Sequence, residues 1–335
     1  MIIPFFIQNR GCPHRCAFCN QQISGDRGPA DWTDKSFHEK VRDFLASRAS
    51  KEKQSKGVQI AFYGGNFTGL AASEQDRLLG LAQHHVEGGA VEGIRISTRP
   101  DALHMPDLER LAAFGVKTVE LGAQSFVNRV LEASQRGHTT EDVERTVKLL
   151  KDYGFAVILH LMAGLPGDNR RGFSETVART IDLRPDGVRI HPTLVLADTP
   201  LAEDFRRGRY HPLSLGDAVD LCKEACRRFQ KAEIPVIRLG LQTTDMMTGP
   251  GAVLGGPYHS AFGSLVAEAL WLERTVTLLD GADVRDKKVT VYVPARQESA
   301  FRGNRNCNIQ RLQQQFRFAA LEIKPGGETL NYSSS

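Results

Sequence analysis

Six times in the first two-thirds of this 335-residue chain, a short apolar run is followed by a glycine-rich or polar turn and then by an amphipathic stretch. The runs are IIPFFI (2–7), VQIAFY (58–63), IRIS (94–97), KTVEL (117–121), AVILHLM (156–162) and GVRIHP (187–192). Their length and their β-branched and aromatic residues suit buried strands. The segments between them read as helices. Ser73 is the expected N-cap of SEQDRLLGLAQHH, and Pro106-Asp107 opens a helix that Gly115 ends. Thr139 or Thr140 caps the helix that precedes Gly154, and FSETVARTIDL supplies another. Strand–helix units in succession demand parallel strands with helical crossovers. The expected fold class is α/β, a partial (β/α)6 TIM-like barrel, with an open doubly wound sheet as the alternative. In both, ligands bind at the carboxyl ends of the strands.

The unusual residues fall at those ends. GCPHRCAFC (11–19) follows the first strand, GGNFTG (64–69) the second, and STRPD (97–101) closes the third. GAQS (122–125), AGLPGD (163–168) and HPTLV (191–195) follow in turn. Cys12, Cys16 and Cys19 have the spacing C-x3-C-x2-C, while Cys222, Cys226 and Cys307 are scattered. In a large chain this favours a metal or redox site over a disulfide framework. Structural zinc wants a closed shell of four ligands. His14 lies inside the loop, and Cys222 and Cys226 share one face of a helix, where small apolar core residues are the simpler reading. An iron–sulfur cubane is normally held by four cysteines; three leave one iron with the open position that a catalytic metal needs.

C-x3-C-x2-C, with Phe18 just before the third cysteine, resembles the radical S-adenosylmethionine (SAM) enzymes, in which the same loop follows the first strand of a partial barrel. The resemblance implies a [4Fe–4S] cluster on Cys12, Cys16 and Cys19, its open iron chelated by the SAM amino and carboxylate groups. It implies reductive cleavage of SAM to methionine and a 5′-deoxyadenosyl radical, and hence an electron donor such as ferredoxin or flavodoxin. It also implies cofactor contacts. Gly64, Gly65 and Asn66 stand where the family has a GGE-type turn that meets the SAM amine, with Asn66 replacing the acidic residue. Ser97 and Arg99 end the third strand, where a guanidinium can pair with the SAM carboxylate. Gln124 and Ser125 suit ribose hydroxyls. Gly164 to Gly167 and His191 to Thr193 lie where adenine packs in such barrels.

Longer strings are narrower. PFFIQNRGCPHRCAFCNQ, FYGGNFTGL, ISTRPD, VELGAQSF with RGHT (136–139), and LMAGLPGD resemble the Elongator catalytic-subunit group, which modifies the wobble uridine of tRNA. GAQS and RGH are also similar to oxygen-independent coproporphyrinogen oxidases. The Elongator subunit carries an acetyltransferase domain after its radical SAM part. The expectation here is a short bacterial form without that domain, so acetyl-CoA-dependent carboxymethylation is not carried over.

The organisation expected is a core with its extension over residues 1–265 and a small basic α+β unit over 266–335. From Gly281 to Lys324, nine basic residues face four acidic ones, a local +5 in a chain of net +4. VTVYVP, a helix, GNRN (303–306), a second helix and a strand resemble a minimal KH fold, whose GXXG loop clamps an RNA backbone. Arg302, Arg305 and Arg311 flank that loop; the alternative is a cap that only packs on the barrel. In GGPYHSAFG (255–263), Tyr258 and His259 are candidate catalytic relays. With neither a signal peptide nor a membrane-length apolar run in view, a cytoplasmic protein is expected. The expected function is a radical SAM enzyme acting on RNA, with tRNA foremost. The alternatives are radical chemistry on a small molecule such as a porphyrinogen, and a non-catalytic iron–sulfur RNA-binding protein.

Overall fold

The structure, a computed structural model, describes residues 1–7, 10–13, 15–25, 32–49, 57–326 and 330–334. His14, weighed above as a metal ligand, lies outside the described residues. Strands β1 (Ile2–Phe6), β2 (Gln59–Tyr63), β3 (Gly93–Thr98), β4 (Val116–Gln124), β5 (Ala156–Ala163) and β6 (Gly187–Pro192) lie side by side in chain order, each parallel to the one before. Past a two-residue strand, β7 (Val195–Leu196), the chain adds β8 (Val236–Leu239), parallel to β6. The partial barrel expected from sequence is therefore present, extended by a seventh strand. β8 lies within the apolar run IPVIRLGLQ (234–242), to which the sequence reading assigned no strand.

Alternation decides which way each strand faces. Ile60 and Phe62, Ile94 and Ile96, Val119 and Leu121, Leu159 and Leu161, and Val188 and Ile190 are buried in one apolar core. The residues between them, among them Tyr63, Arg95, Glu120, His160 and Arg189, form a polar network on the other face. That face is the inside of the curled sheet.

The crossover helices run over Ala72–Glu87, Met105–Ala113, Thr140–Asp152 and Arg170–Leu183. Thr139 caps the third as expected, through its hydroxyl and Asp142. Ser73 does not cap the first: it lies inside the helix, and the cap residue Ala71 has no side-chain bond. The entry is fixed instead by buried Gln75, whose amide donates to the Thr68 and Leu70 carbonyls. The second helix begins at Met105, one residue ahead of Pro106, with Asp107 accepting the His104 N–H at 2.9 Å.

Near the end of the chain, β10 (Lys288–Pro294) pairs parallel with β11 (Ala320–Gly326) and antiparallel with β12 (Asn331–Ser334). Helices Glu298–Arg302 and Cys307–Phe316 lie between β10 and β11, so the strand, helix, turn, helix, strand order holds, with one strand more. An antiparallel bridge joins β7 to β9 (Val253–Gly255). Helix Phe262–Leu279 crosses the expected boundary at 265/266. Its Phe262 and Val266 belong to the main core, while Trp271 and Leu279 pack with Val289, Val291, Phe301 and Leu312. Among the described residues, no helix is long and apolar enough to cross a membrane.

Candidate functional site

The cysteine loop leaves the carboxyl end of β1 and is tied down on three sides. Ala17 N–H donates to Ser134 O at 3.0 Å, and Leu201 N–H donates to Ala17 O at 2.9 Å. On the third side the loop meets the turn after β2. Asn66 N–H donates to Arg10 O at 3.0 Å, and Asn66 Nδ2 donates to Gly11 O at 2.8 Å. Gly11 has φ +74, and a Cβ there would overlap the Asn66 carbonyl oxygen; one on Gly69 would overlap the Gly11 carbonyl oxygen. Two backbones in contact leave room for glycine alone. The loop ends in Asn20, which caps Gln21–Ser24 through Gln22 N–H and donates to Ala197 O at 2.8 Å.

Cys16 is buried, Cys19 half-buried and Cys12 exposed. Two guanidiniums reach the buried thiol: Arg136 Nη1 stands 3.0 Å from Cys16 Sγ and Arg99 Nη1 3.8 Å. Burial pushes the Cys19 thiol up to about 12, with Cys16 and Cys12 adding to the rise. A metal that binds there must displace protons from such thiols. Three soft donors beside two fixed cations suit an anionic iron–sulfur cluster, because the guanidiniums offset thiolate charge. Around them lie buried polar atoms without a hydrogen-bond partner among the described residues: Gln124 Oε1, Ser134 Oγ and His138 Nδ1. Native interiors leave few such atoms unpaired, and a ligand that occupies the space between them is a direct way to satisfy them. The residues present thus fit both the cluster and a polar cofactor beside it.

The other expected contacts divide. Asn66 is fully buried and spends its whole side chain on structure, because its Oδ1 accepts from Thr98 Oγ1 at 2.7 Å and Arg99 N at 3.1 Å. That amide needs one donor and one acceptor end, which accounts for an asparagine where the family has a carboxylate. Gly64 and Gly65 follow β2 beside it, Gly65 packed on the Arg10 carbonyl. Arg99 is held by Asp101 through two bonds of 2.9 Å and also donates to Arg136 O. Ser97 lies at the same end of β3, beside Glu120 in register. Gln124 sits at a register shift in β4 with φ 66, the local distortion that re-aims a side chain near a ligand site. Ser125, by contrast, is committed to its turn: its hydroxyl accepts from Val127 N and pairs with Thr176.

Phe18, just before Cys19, is partly buried against two apolar clusters, one of Val130, Met162 and Leu165 and the other of Val195, Leu201, Ala202 and Tyr210. Gly164 follows β5, and its carbonyl accepts the Tyr210 hydroxyl at 2.6 Å. His191 lies on the inner face of β6, its ring 5.9 Å from that of His160 and its Nδ1 buried without a hydrogen-bond partner among the described residues. Burial, with help from His160 and Arg189, lowers it to about 3, so the ring is neutral. Tyr258 is partly buried against the cluster of Ile23, Leu194, Leu196 and Met247. His259 is exposed and accepts the Ala261 N–H at 3.1 Å, just ahead of helix Phe262–Leu279. Arg136, Ser134 and His138 were given no role above, although RGHT was singled out as a string. The chemistry of that string becomes visible only when the helix preceding it brings Arg136 onto Cys16.

A half-barrel with three cysteines on its first loop, and guanidiniums against them, is the architecture of a radical SAM protein. Residues 7–180 match the radical SAM superfamily and residues 185–271 its radical SAM C-terminal domain, and the chain belongs to that superfamily. Within it, the similarity is to the Elongator group. The chain is 30% identical over 252 residues to the tRNA uridine(34) acetyltransferase of Methanocaldococcus jannaschii, covering 64% of this chain and 46% of that protein. It is 35% identical over 240 residues to the protein of the same name in Dehalococcoides mccartyi, covering 63% and 52%. It is 36% identical over 132 residues to human Elongator complex protein 3, covering 38% and 24%. The chain thus spans about half the length of the first two relatives and a smaller share of the third. The structure of archaeal Elp3 from Methanocaldococcus infernus, with an N-terminal deletion, aligns at a TM-score of 0.61 and 22% identity over 82% of this chain and 62% of that one. That likeness supports the fold.

Proposed function

We propose that this chain holds a [4Fe–4S] cluster on Cys12, Cys16 and Cys19, binds SAM beside it, and directs radical chemistry at RNA, with tRNA as the substrate class. The observation that carries the reading is the clasp of the cysteine loop on the turn after β2, with two guanidiniums against Cys16. Cys12, Cys16 and Cys19 would hold the cluster, which, once reduced by an external donor, would supply the electron for reductive cleavage of SAM to methionine and a 5′-deoxyadenosyl radical. The protein's own part is to place and to shield. Arg136 and Arg99 balance thiolate charge, and Asp101 keeps Arg99 aimed. The backbone of Gly64 and Gly65, the open Oε1 of Gln124 and the neutral ring of His191 present polar groups toward SAM. Phe18 excludes water from one flank. Tyr258 and His259 remain the candidate relays to substrate. An electron donor of the ferredoxin or flavodoxin kind completes the scheme.

RNA is favoured by the names of the relatives, which concern a tRNA uridine and the Elongator complex. The basic C-terminal unit agrees in part. Arg296, Arg305, Arg311 and Arg317 are exposed, whereas Lys287, Lys288, Arg302 and Lys324 are engaged with acidic neighbours. The test is anaerobic: reconstitute with iron and sulfide, reduce, add SAM, and quantify 5′-deoxyadenosine with and without bulk tRNA. Product that rises with tRNA is expected. Product indifferent to tRNA moves the substrate to a small molecule, and no product from a fully loaded protein refutes the catalytic reading.

A further inference from the structure

The inner face of the sheet carries a charged layer that the cysteine-loop site does not use. Glu120 on β4 is fully buried and accepts from Arg95 Nη1 at 2.7 Å, Arg189 Nη2 at 3.0 Å and Tyr63 Oη at 2.6 Å, with His160 Nε2 at 2.5 Å. The Tyr63 hydroxyl accepts in turn from Arg189 at 2.9 Å. One carboxylate thus serves two guanidiniums. Arg238 on β8 adds a third, held by long bonds of 3.4 Å to Gly240 O and 3.3 Å to Gln242 Oε1. These three arginines, with Gln59 and Glu92, line a cavity of about 460 Å³ at the amino ends of the strands, the end of the sheet opposite the cysteines. Glu92 stands at the exposed rim and accepts the Gly57 N–H at 2.6 Å. Among the described residues that line the cavity, three guanidinium side chains face one carboxylate, Glu92, while Glu120, bonded to Arg95 and Arg189, is not part of the lining. Arg189 Nε is buried and has no hydrogen-bond partner among the described residues. Burial and the nearness of Arg189 both lower the basicity of Arg238, as expected where cations converge without a full complement of anions.

Arg95 and Arg189 share the one carboxylate of Glu120, half-buried Arg238 donates to neutral oxygens, and planar guanidinium donors match phosphate and carboxylate oxygens. We propose that this cavity is an oxyanion site, separate from the cysteine-loop site, and that Arg238, Arg189 and Arg95 hold a phosphate group in it. The volume lies within the range of small-molecule sites. Both inorganic phosphate and the phosphate of a small phosphorylated metabolite supply the required chemistry.

Calorimetric titration of the full chain with inorganic phosphate, and separately with glycerol 3-phosphate, tests the assignment without any need for cluster or SAM. Saturable binding is expected, weakened about tenfold or more in Arg238→Gln, the loss of one charged hydrogen-bond donor. Glu92→Gln, at an exposed position, is expected to tighten it by removing the rim carboxylate. Tighter binding of the monoester marks a metabolite site, and equal binding marks a site for the free ion. Absence of saturable binding to both, or affinity unchanged in Arg238→Gln and in Glu92→Gln, overturns the proposal.

Discussion

His138 shows how a single residue carries the history of its surroundings. It is buried, its Nε2 faces Ala123 O at 3.2 Å, and burial, with Arg136 nearby, lowers it to about 3. An unfolded histidine titrates near 6.5. Between those values the unfolded chain binds a proton that the native state does not, so stability falls as pH falls, by about 1.4 kcal/mol per unit. Urea denaturation from pH 7 to pH 4.5 should therefore show wild type losing stability faster than His138→Gln below pH 6.5. Parallel curves would sink that account. Residue type was legible in RGHT, but its environment was not: nothing local says that Arg136 ends up against a cysteine 120 positions earlier, or that His138 is buried beside the Ala123 carbonyl. The same holds for Asn66. Its departure from the family's acidic residue read as a tolerated substitution; in the fold it is an amide whose two ends meet partners of opposite kind.

At the scale of elements, the clasp between the cysteine loop and the turn after β2 is the joint on which the site depends. Asn66→Asp keeps shape and size but replaces the donor to Gly11 O with an acceptor. The unsatisfied carbonyl and the facing oxygen together should cost about 1–3 kcal/mol. The expected outcome is a lower urea midpoint and fewer iron and sulfide atoms retained per chain after reconstitution. Normal stability with full iron content would show that the clasp is incidental. The strands of the sheet were legible because short runs of β-branched and aromatic residues, and the turns that follow them, are written within a few residues. Exceptions have local causes too. Ser73 resembles a cap in isolation, but Gln75 binds the preceding turn and draws the helix start ahead of it.

For the whole molecule, helix Phe262–Leu279 makes the C-terminal unit and the barrel mutually dependent, since its two halves serve the two cores. Excising residues 286–324 would strip Trp271 and Leu279 of their cover, so point changes are the cleaner probe of RNA binding. Arg305 and Arg311 are exposed, and Arg305 lies in a turn where it and Asn306 both have positive φ. Arg305→Ala with Arg311→Ala should leave stability within about 0.5 kcal/mol. It should weaken tRNA binding and reduce its salt dependence by up to two phosphate contacts. Unchanged affinity and salt slope would make this unit a cap on the barrel.

By itself the sequence determined parallel strands with helical crossovers, the end of the sheet on which the unusual loops gather and the spacing of the three thiols, and its motifs carried a resemblance to the superfamily. The first three follow from short-range patterns, namely short runs of β-branched and aromatic residues, turn residues and fixed cysteine spacing, while the choice of a curled half-barrel over an open sheet was left to the tertiary structure. Only the tertiary structure decided that Arg136 meets Cys16, that Glu120 is shared by two arginines, and that Arg238 joins them on a seventh strand. Those contacts depend on sheet register and curl, which set neighbours between residues far apart in the chain and leave no trace in local pattern.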